Sequence, residues 1–391
     1  MPSAKTSIYS VSFVLLCAST LLFSASFNMM IPELPAYLTA MGGGEYIGLI
    51  IALFTVTAGL SRPFSGKLTD KIGRIPVMAI GSIVCFLCGF LYPIMTSISG
   101  FLFLRLLHGF STGFKPTATA AYIADIIPKD RWGEAIGFHG LCFSIGQAIG
   151  PAIGSGLVMA FDIQVMFYVS SAFALLSIVI LMRMKETLKN KERFQMTMLI
   201  IKKDEIIDRN VLPSAIVVLI TYLSYGAILT LIPAWTQHVG IQNKGYFFIV
   251  FTLSSVIIRL VAGKASDKYG RTVIINIGLV GLITSLILLA LVTSTLSFTA
   301  ASMMYGISLG ILSPALNAWT IDLSHPDHRG KAMATMYIAL EIGIGLGALL
   351  SGWYFKEQIS HITHTFITVG LVNVLALLIV VKFVKKSKNI A

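Results

Sequence analysis

Ionisable side chains stand inside long apolar runs of this sequence, and their spacing sets what chemistry the chain can do. Arg105, His108 and Lys115 share one run. On a helix they fall within about 80° of one another over roughly 15 Å of rise, with Thr112 and Thr119 on the same face. Glu341 sits mid-run in Leu340-Glu341-Ile342-Gly343, with no cation one helical turn away, and Glu33 ends the first run in Ile31-Pro32-Glu33-Leu34-Pro35. Buried cations suit an anionic ligand and a buried carboxylate suits reversible protonation; either inside a membrane is functional by default.

Each residue also has a plainer reading. Arg105 is near enough to the end of its run to snorkel to an interface. Lys115, mid-run and followed by Pro116, is not, and is expected to face a watered cavity. His108, beside two cations, is a weaker proton carrier, and helix packing explains it equally well. Glu33 reads equally as a carboxylate hydrated at the mouth of its span. The alternative for Glu341 is a structural hydrogen bond to a neighbouring helix.

The elements that must hold these residues follow from composition. Of 391 residues, 56% are hydrophobic and 12% charged, against about a quarter charged in a soluble domain. The apolar runs are about 20 residues long, enough to cross a hydrocarbon core of roughly 30 Å. The expectation is an all-α polytopic membrane protein with twelve transmembrane helices, near residues 9–38, 46–65, 75–95, 98–126, 133–159, 164–184, 211–238, 245–262, 272–293, 295–323, 331–353 and 361–384. The polar-apolar alternation of β-barrel spans is not found. Tyr9 to about Ile31 is longer than the apolar core of a signal peptide and lacks its cleavage site, so it reads as a retained span. Cys17, Cys85, Cys88 and Cys142 all lie in apolar runs, and the Cys85/Cys88 pair lacks a second pair or a nearby His. Neither a disulfide nor a metal site is expected, and no nucleophile cluster suggests an enzyme.

The net charge of +12 is distributed like that of a membrane protein, not a nucleic-acid binder. With these spans, 25 of the 29 Lys and Arg fall on the side of both termini, Lys244 and Lys356 fall opposite, and Arg105 and Lys115 lie inside a span. Positive charge marks the cytoplasmic face, so both termini are expected there.

The chain is also a duplication. Gly66-Lys67-Leu68-Thr69-Asp70-Lys71-Ile72-Gly73-Arg74 returns 197 residues later as Gly263-Lys264-Ala265-Ser266-Asp267-Lys268-Tyr269-Gly270-Arg271. Arg62/Arg259, Gly109/Gly306, Asp125/Asp322, Gly146/Gly343 and Gly150/Gly347 keep the same offset. This predicts two pseudo-symmetric six-helix halves, 1–184 and 211–391, joined by a linker, 185–210. Both repeated segments are expected to be short polar loops on one side of the membrane. Pro32 and Pro35, and Pro233 in the seventh span, predict bends beside protein or a cavity. Within the linker, Phe194–Lys203 suits either a short interfacial amphipathic helix or simple connection.

The repeated segment, G-K-x-x-D-K-x-G-R, resembles the loop between spans 2 and 3 of the major facilitator superfamily. The resemblance covers the whole chain and implies that family's fold. It implies that Gly66, Asp70, Gly73 and Arg74 gate the cytoplasmic side, with Asp70 holding span 11 in the outward-facing state and Arg74 tied to Asp125. Asp267, Arg271 and Asp322 are the matching set. Arg105-Leu106-Leu107-His108-Gly109 is similar to the family's R-x-x-Q-G, whose Arg serves substrate or proton coupling, with His108 in place of Gln. Gly137, Gly146, Gly150, Pro151 and Gly154 resemble the antiporter signature of its drug/proton exporters, with Ser155 where a final glycine is usual. Glycine packing alone explains part of that pattern. Family architecture places spans 1, 4, 7 and 10 around the cavity, so Asn28, Arg105, Lys115, Tyr222, Tyr225, Asn317 and Trp319 are candidate substrate-binding residues.

Taken together, the expectation is a monomeric secondary transporter in the lipid bilayer, and the resemblance implies an inner (plasma) membrane. It would export a small organic molecule, carboxylate- or phosphate-bearing, by alternating access. Protons would be the coupling ion, carried by Glu341, Glu33 or Arg105, with no cofactor and no nucleic-acid partner. The rival is a proton symporter or facilitator for uptake of an organic anion or sugar. A non-transporting sensor would tolerate loss of Asp70 and Glu341.

Overall fold

The computed structural model describes residues 10–128, 131–199, 207–325 and 329–388, without the side chains of residues 133, 260, 264 and 384–388. Among the described residues there are no strands, and twelve helices have 18 residues or more. In the first half these are α1 (Val11–Met29), α3 (Ile47–Ile72), α4 (Arg74–Leu91), α5 (Ile98–Ile126), α6 (Trp132–Ala160) and α7 (Ile163–Met182), with a short α2 (Leu34–Ala40) after α1. In the second they are α8 (Leu212–His238), α9 (Tyr246–Tyr269), α10 (Arg271–Ala290), α11 (Thr295–Leu323), α12 (Arg329–Phe355) and α13 (Ile359–Lys388). Ten spans are long and apolar enough to cross a membrane unaided, and α9 joins them when its two limbs, bent by 46°, count as one. The remaining helix, α5, is less apolar because it carries Arg105, His108 and Lys115.

The first span breaks between Met29 and Leu34, around Pro32, and Glu33 stands at the N-terminus of α2. The repeated segment is not the loop expected from its polarity. Residues Gly66–Ile72 are the polar end of α3, and the matching residues through Tyr269 end α9. Their backbone bonds inside the helix, so only the charged side chains need water. The turn itself is one residue in each half, Gly73 with φ 123° and Gly270 with φ 93°, conformations open to glycine at no steric cost.

Helix contacts obey the repeat. In the first half α1 packs on α6 and α7, α3 on α5, and α4 on α5 and α7. In the second, α8 packs on α12 and α13, α9 on α11, and α10 on α11 and α13. Two seams join the halves, α3 on α12 and α6 on α9, which the 197-residue offset exchanges. Small residues bring the backbones together: Gly146 and Gly150 lie on the α1 backbone at Ala25, while Gly343 and Gly347 lie on the carbonyls of Leu219 and Leu223 in α8. In the linker, Met196–Leu199 forms a 3-10 turn whose Met198 is buried on the first-half core. The rest of Phe194–Lys203, from 200 onward, lies outside the described residues.

Candidate functional site

A cavity of about 440 Å³ lies between the halves, bordered by both seams. From the first half, α1 contributes Asn28, α3 Arg62, α5 Arg105, and α6 His139, Ser144 and Gln147. From the second, α8 contributes Tyr222 and Tyr225, α9 Arg259, and α12 Tyr337 and Glu341. Three guanidinium groups thus face one carboxylate.

Glu341 is 8% exposed, and its partner comes from the other half: Arg62 Nη2 donates to Oε1 at 2.7 Å. The Arg62 guanidinium also lies 5.0 Å from the centre of the Tyr337 ring. Gly59, three residues before Arg62, meets the Glu341 Cβ position, so α3 and α12 approach closely at this level. Sequence spacing missed this pairing because no cation stands one turn from Glu341 in its own helix. The signal available was Arg62/Arg259, a repeated arginine inside each half. Glu341 also borders an apolar groove of about 770 Å³ lined by Val56, Leu60, Leu346 and Leu349, so the ion pair stands between cavity and groove.

Arg105 lines the cavity yet is 1% exposed. Its Nε donates to the Ile50 carbonyl at 2.8 Å, Nη1 reaches the Tyr92 hydroxyl at 3.4 Å, and the guanidinium lies over Phe54. His108 is fully buried between Tyr92 (3.3 Å) and Cys85 (3.4 Å). Asn28 donates to the Ser24 carbonyl at 2.8 Å. Gln147 Nε2 donates to the Tyr225 hydroxyl at 2.7 Å, joining the two halves across the cavity.

Three expected pocket residues are not in it. Lys115 does not face the cavity; it is 1% exposed inside the first half, where its ammonium donates to Ser19 O (3.1 Å), Ser19 Oγ (2.9 Å) and Ser177 Oγ and lies over the Phe23 ring. The helical-face argument placed it with Arg105, but a long lysine can turn back into a bundle wherever serines accept its three protons. Trp319 is 3% exposed and packs edge-on against Phe383 of α13. Asn317, half-buried on α11, is not part of the cavity lining.

On the face opposite the repeated segments the halves are fastened together. Glu33 is not a hydrated residue at a mouth: it is 3% exposed, accepts a hydrogen bond from Ser155 (2.7 Å) and pairs with Lys244 of the second half at 2.6 Å. Asn243 donates to the Ala152 carbonyl at 3.1 Å, and Gly245 lies against the backbone at Pro151. Gly48 and Gly352 bring α3 and α12 into backbone contact on the same face. Gly154 lies against the Met29 carbonyl, whereas a side chain at Gly137 would enter open space. The serine standing where a last glycine is usual is therefore a ligand of Glu33.

At the repeated segments, by contrast, the ion pairs of Arg74 and Arg271 stay within each half. Arg74 Nε is 3.0 Å from Asp125, and Asp70, 74% exposed, pairs with Arg74 at 3.4 Å. Arg271 Nε is 3.0 Å from Asp322 and pairs with Asp267, which is 69% exposed. A side chain at Gly66 would first meet Thr117, without crowding.

Residues 16–242 and 214–389 match the sequence profile of the Major Facilitator Superfamily. The chain is 24% identical to multidrug resistance protein 2 of Bacillus subtilis (strain 168), over 97% of this chain and 96% of that one. It is 27% identical to the multi-drug resistance efflux pump PmrA of Streptococcus pneumoniae serotype 4, over 76% and 77%. It is 21% identical to the staphylopine export protein of Staphylococcus aureus (strain Mu50), over 87% and 88%. Among solved structures, the human organic anion transporter MFSD10 superposes with a TM-score of 0.72 at 17% identity, covering 94% of this chain and 98% of that one. The nucleoside transporter NupG gives 0.76 at 13% identity, covering 95% and 99%. At those identities the likeness is one of fold.

Proposed function

The chain belongs to the Major Facilitator Superfamily, a multi-pass membrane secondary transporter, and from that premise we propose that it exports a small organic anion in exchange for protons. The observation that carries this reading is the cavity wall: Arg62, Arg105 and Arg259 against Glu341 alone, with Glu341 ion-paired across a seam between the halves. The excess of cations suits a carboxylate or phosphate. Efflux pumps and an export protein among the relatives support the outward direction.

The face carrying the repeated segments is the cytoplasmic face of the plasma membrane, by the bias of Lys and Arg. The fastened face is then external, and the conformation is inward-facing. Protonation of Glu341 neutralises the partner of Arg62 and loosens the α3–α12 seam, and substrate competes for the freed guanidinium. Coupling follows because each ligand favours one conformation. In the outward-facing state Lys244 leaves Glu33, and Asp70 moves from Arg74 to the start of α12. The transporter works as a monomer with no cofactor.

The test compares small molecules in medium and cells, by mass spectrometry, for a deletion strain, a complemented strain and a Glu341→Gln strain. A compound retained inside the deletion and Glu341→Gln cells is the expected result and names the substrate. A compound left unconsumed in the medium would mean uptake and overturn the export reading.

A further inference from the structure

The two seams present the same contact twice, once with a carboxylate and once without. Arg259 is Arg62 displaced by the 197-residue repeat, and Glu341 displaced back by the same offset is Ser144. The register is fixed on both sides, because Gly146 and Gly343 stand two residues on and touch α1 and α8 in the same way. The pairing is kept as well. Arg62 of α3 reaches Glu341 of α12 at 2.7 Å, and Arg259 of α9 reaches Ser144 of α6 at 3.5 Å. A serine hydroxyl carries no charge, so the second seam repeats the guanidinium and omits its counter-ion.

The other two arginines of the cavity are already engaged. Arg62 is neutralised by Glu341, and Arg105 is 1% exposed and held by Ile50 O and Tyr92. Arg259 is exposed in the cavity and forms no ion pair among the described residues. Tyr225 accepts its hydrogen bond from Gln147, which leaves its own hydroxyl proton for an acceptor in the cavity. A guanidinium, a serine hydroxyl and a phenol are donors suited to a carboxylate or phosphate, and a bidentate contact with Arg fixes its orientation.

We infer that Arg259 and Ser144 form the subsite for the acidic group of the transported molecule, which takes the place that Glu341 holds at the other seam. The inference rests on the proposed transport of an organic anion and names where the anion binds. Bound there, the substrate bridges α9 to α6 as Glu341 bridges α12 to α3. At the level of the cavity, the second seam then gains its ionic bridge only when cargo is present.

The test is calorimetric titration of the full chain in nanodiscs with sodium benzoate, phenyl phosphate, inorganic phosphate and, as a cationic control, benzylamine. Benzoate or phenyl phosphate is expected to saturate one site in the wild type, with affinity falling about tenfold or more in Arg259→Gln. Ser144→Glu, which supplies the missing carboxylate in place of the ligand, should not bind, and Lys115→Met should bind as wild type does. Thermal melting of each variant verifies folding, and should Ser144→Glu fail to fold, Arg259→Gln and Arg259→Lys carry the result. Organic anions that bind the wild type and all Arg259 variants alike would overturn the subsite while leaving anion export intact. Absence of organic-anion binding in the wild type would overturn both. Binding of inorganic phosphate alone would overturn the assignment of the subsite to cargo.

Discussion

The α3–α12 and α6–α9 seams are exchanged by the internal repeat, yet each has its cross-half ion pair at a different level. At α3–α12 it is Arg62–Glu341, beside the cavity. Next to α6–α9 it is Lys244–Glu33, at the fastened face, with Ser155 of α6 as a third partner. The backbone packing is duplicated by glycines in both halves, while the charges are not. The duplicated scaffold thus carries one cross-half ion pair beside the cavity and the other at the far face.

The comparison can be broken most forcefully at the pair on the far face. Removing one partner of a buried ion pair strands the other charge, at about 3–5 kcal/mol. Lys244→Met should therefore shift the protein toward the opposite opening. A cysteine placed at Asn28, which lines the cavity, should become reactive to an impermeant maleimide added from the fastened face. Continued protection would mean that Gly48–Gly352 and Asn243–Ala152 hold that face without the ion pair.

The glycine scaffold is tested by Gly154→Leu. Its side chain must enter the Met29 backbone, and overpacking of this kind costs about 1–3 kcal/mol. Gly137→Leu has open space and should melt as the wild type does. Equal losses at both positions would show that the spacing, not the contact, matters.

Lys115→Met addresses the first half alone. It removes the ammonium's hydrogen bonds to Ser19 and Ser177, which keep their bonds to each other, so it should cost about 1 kcal/mol of stability and leave KM for an anionic substrate unchanged. A large rise in KM without loss of stability would return Lys115 to the binding site. The smallest effects belong to the paired hairpins. Arg74→Gln and Arg271→Gln each disturb partly exposed ion pairs worth about 1 kcal/mol or less apiece, so their melting shifts should be small, the larger at Arg74, which is 13% exposed against 26% for Arg271. A selective loss of transport in Arg74→Gln would mark its hairpin as the one that meets α12 in the other conformation.

Much of this was legible in sequence for a physical reason. Runs of apolar residues record the thickness of the bilayer, glycine records a backbone that must turn or touch, and an offset of 197 records the pseudo-symmetry. Those features predicted the helices and close glycine packing, while the one-residue turns at Gly73 and Gly270 and the partner of Gly146 and Gly150, α1, emerge only in the packed structure. Local reasoning misjudged the repeated segment, reading polarity as loop where α3 and α9 continue as helices into the polar region.

The sequence by itself determined which side chains are charged inside the membrane. Only the tertiary structure decided which charges meet. Arg62 and Glu341 are 279 residues apart, and Glu33 and Lys244 are 211 apart, so no periodicity within a helix can place them together. Lys115 and Arg105 share a helical face, but the length and freedom of their side chains let one turn into the bundle and the other to the cavity wall. Ionic partners inside a membrane are chosen by which helices the small residues allow to touch, and that choice belongs to the packed halves.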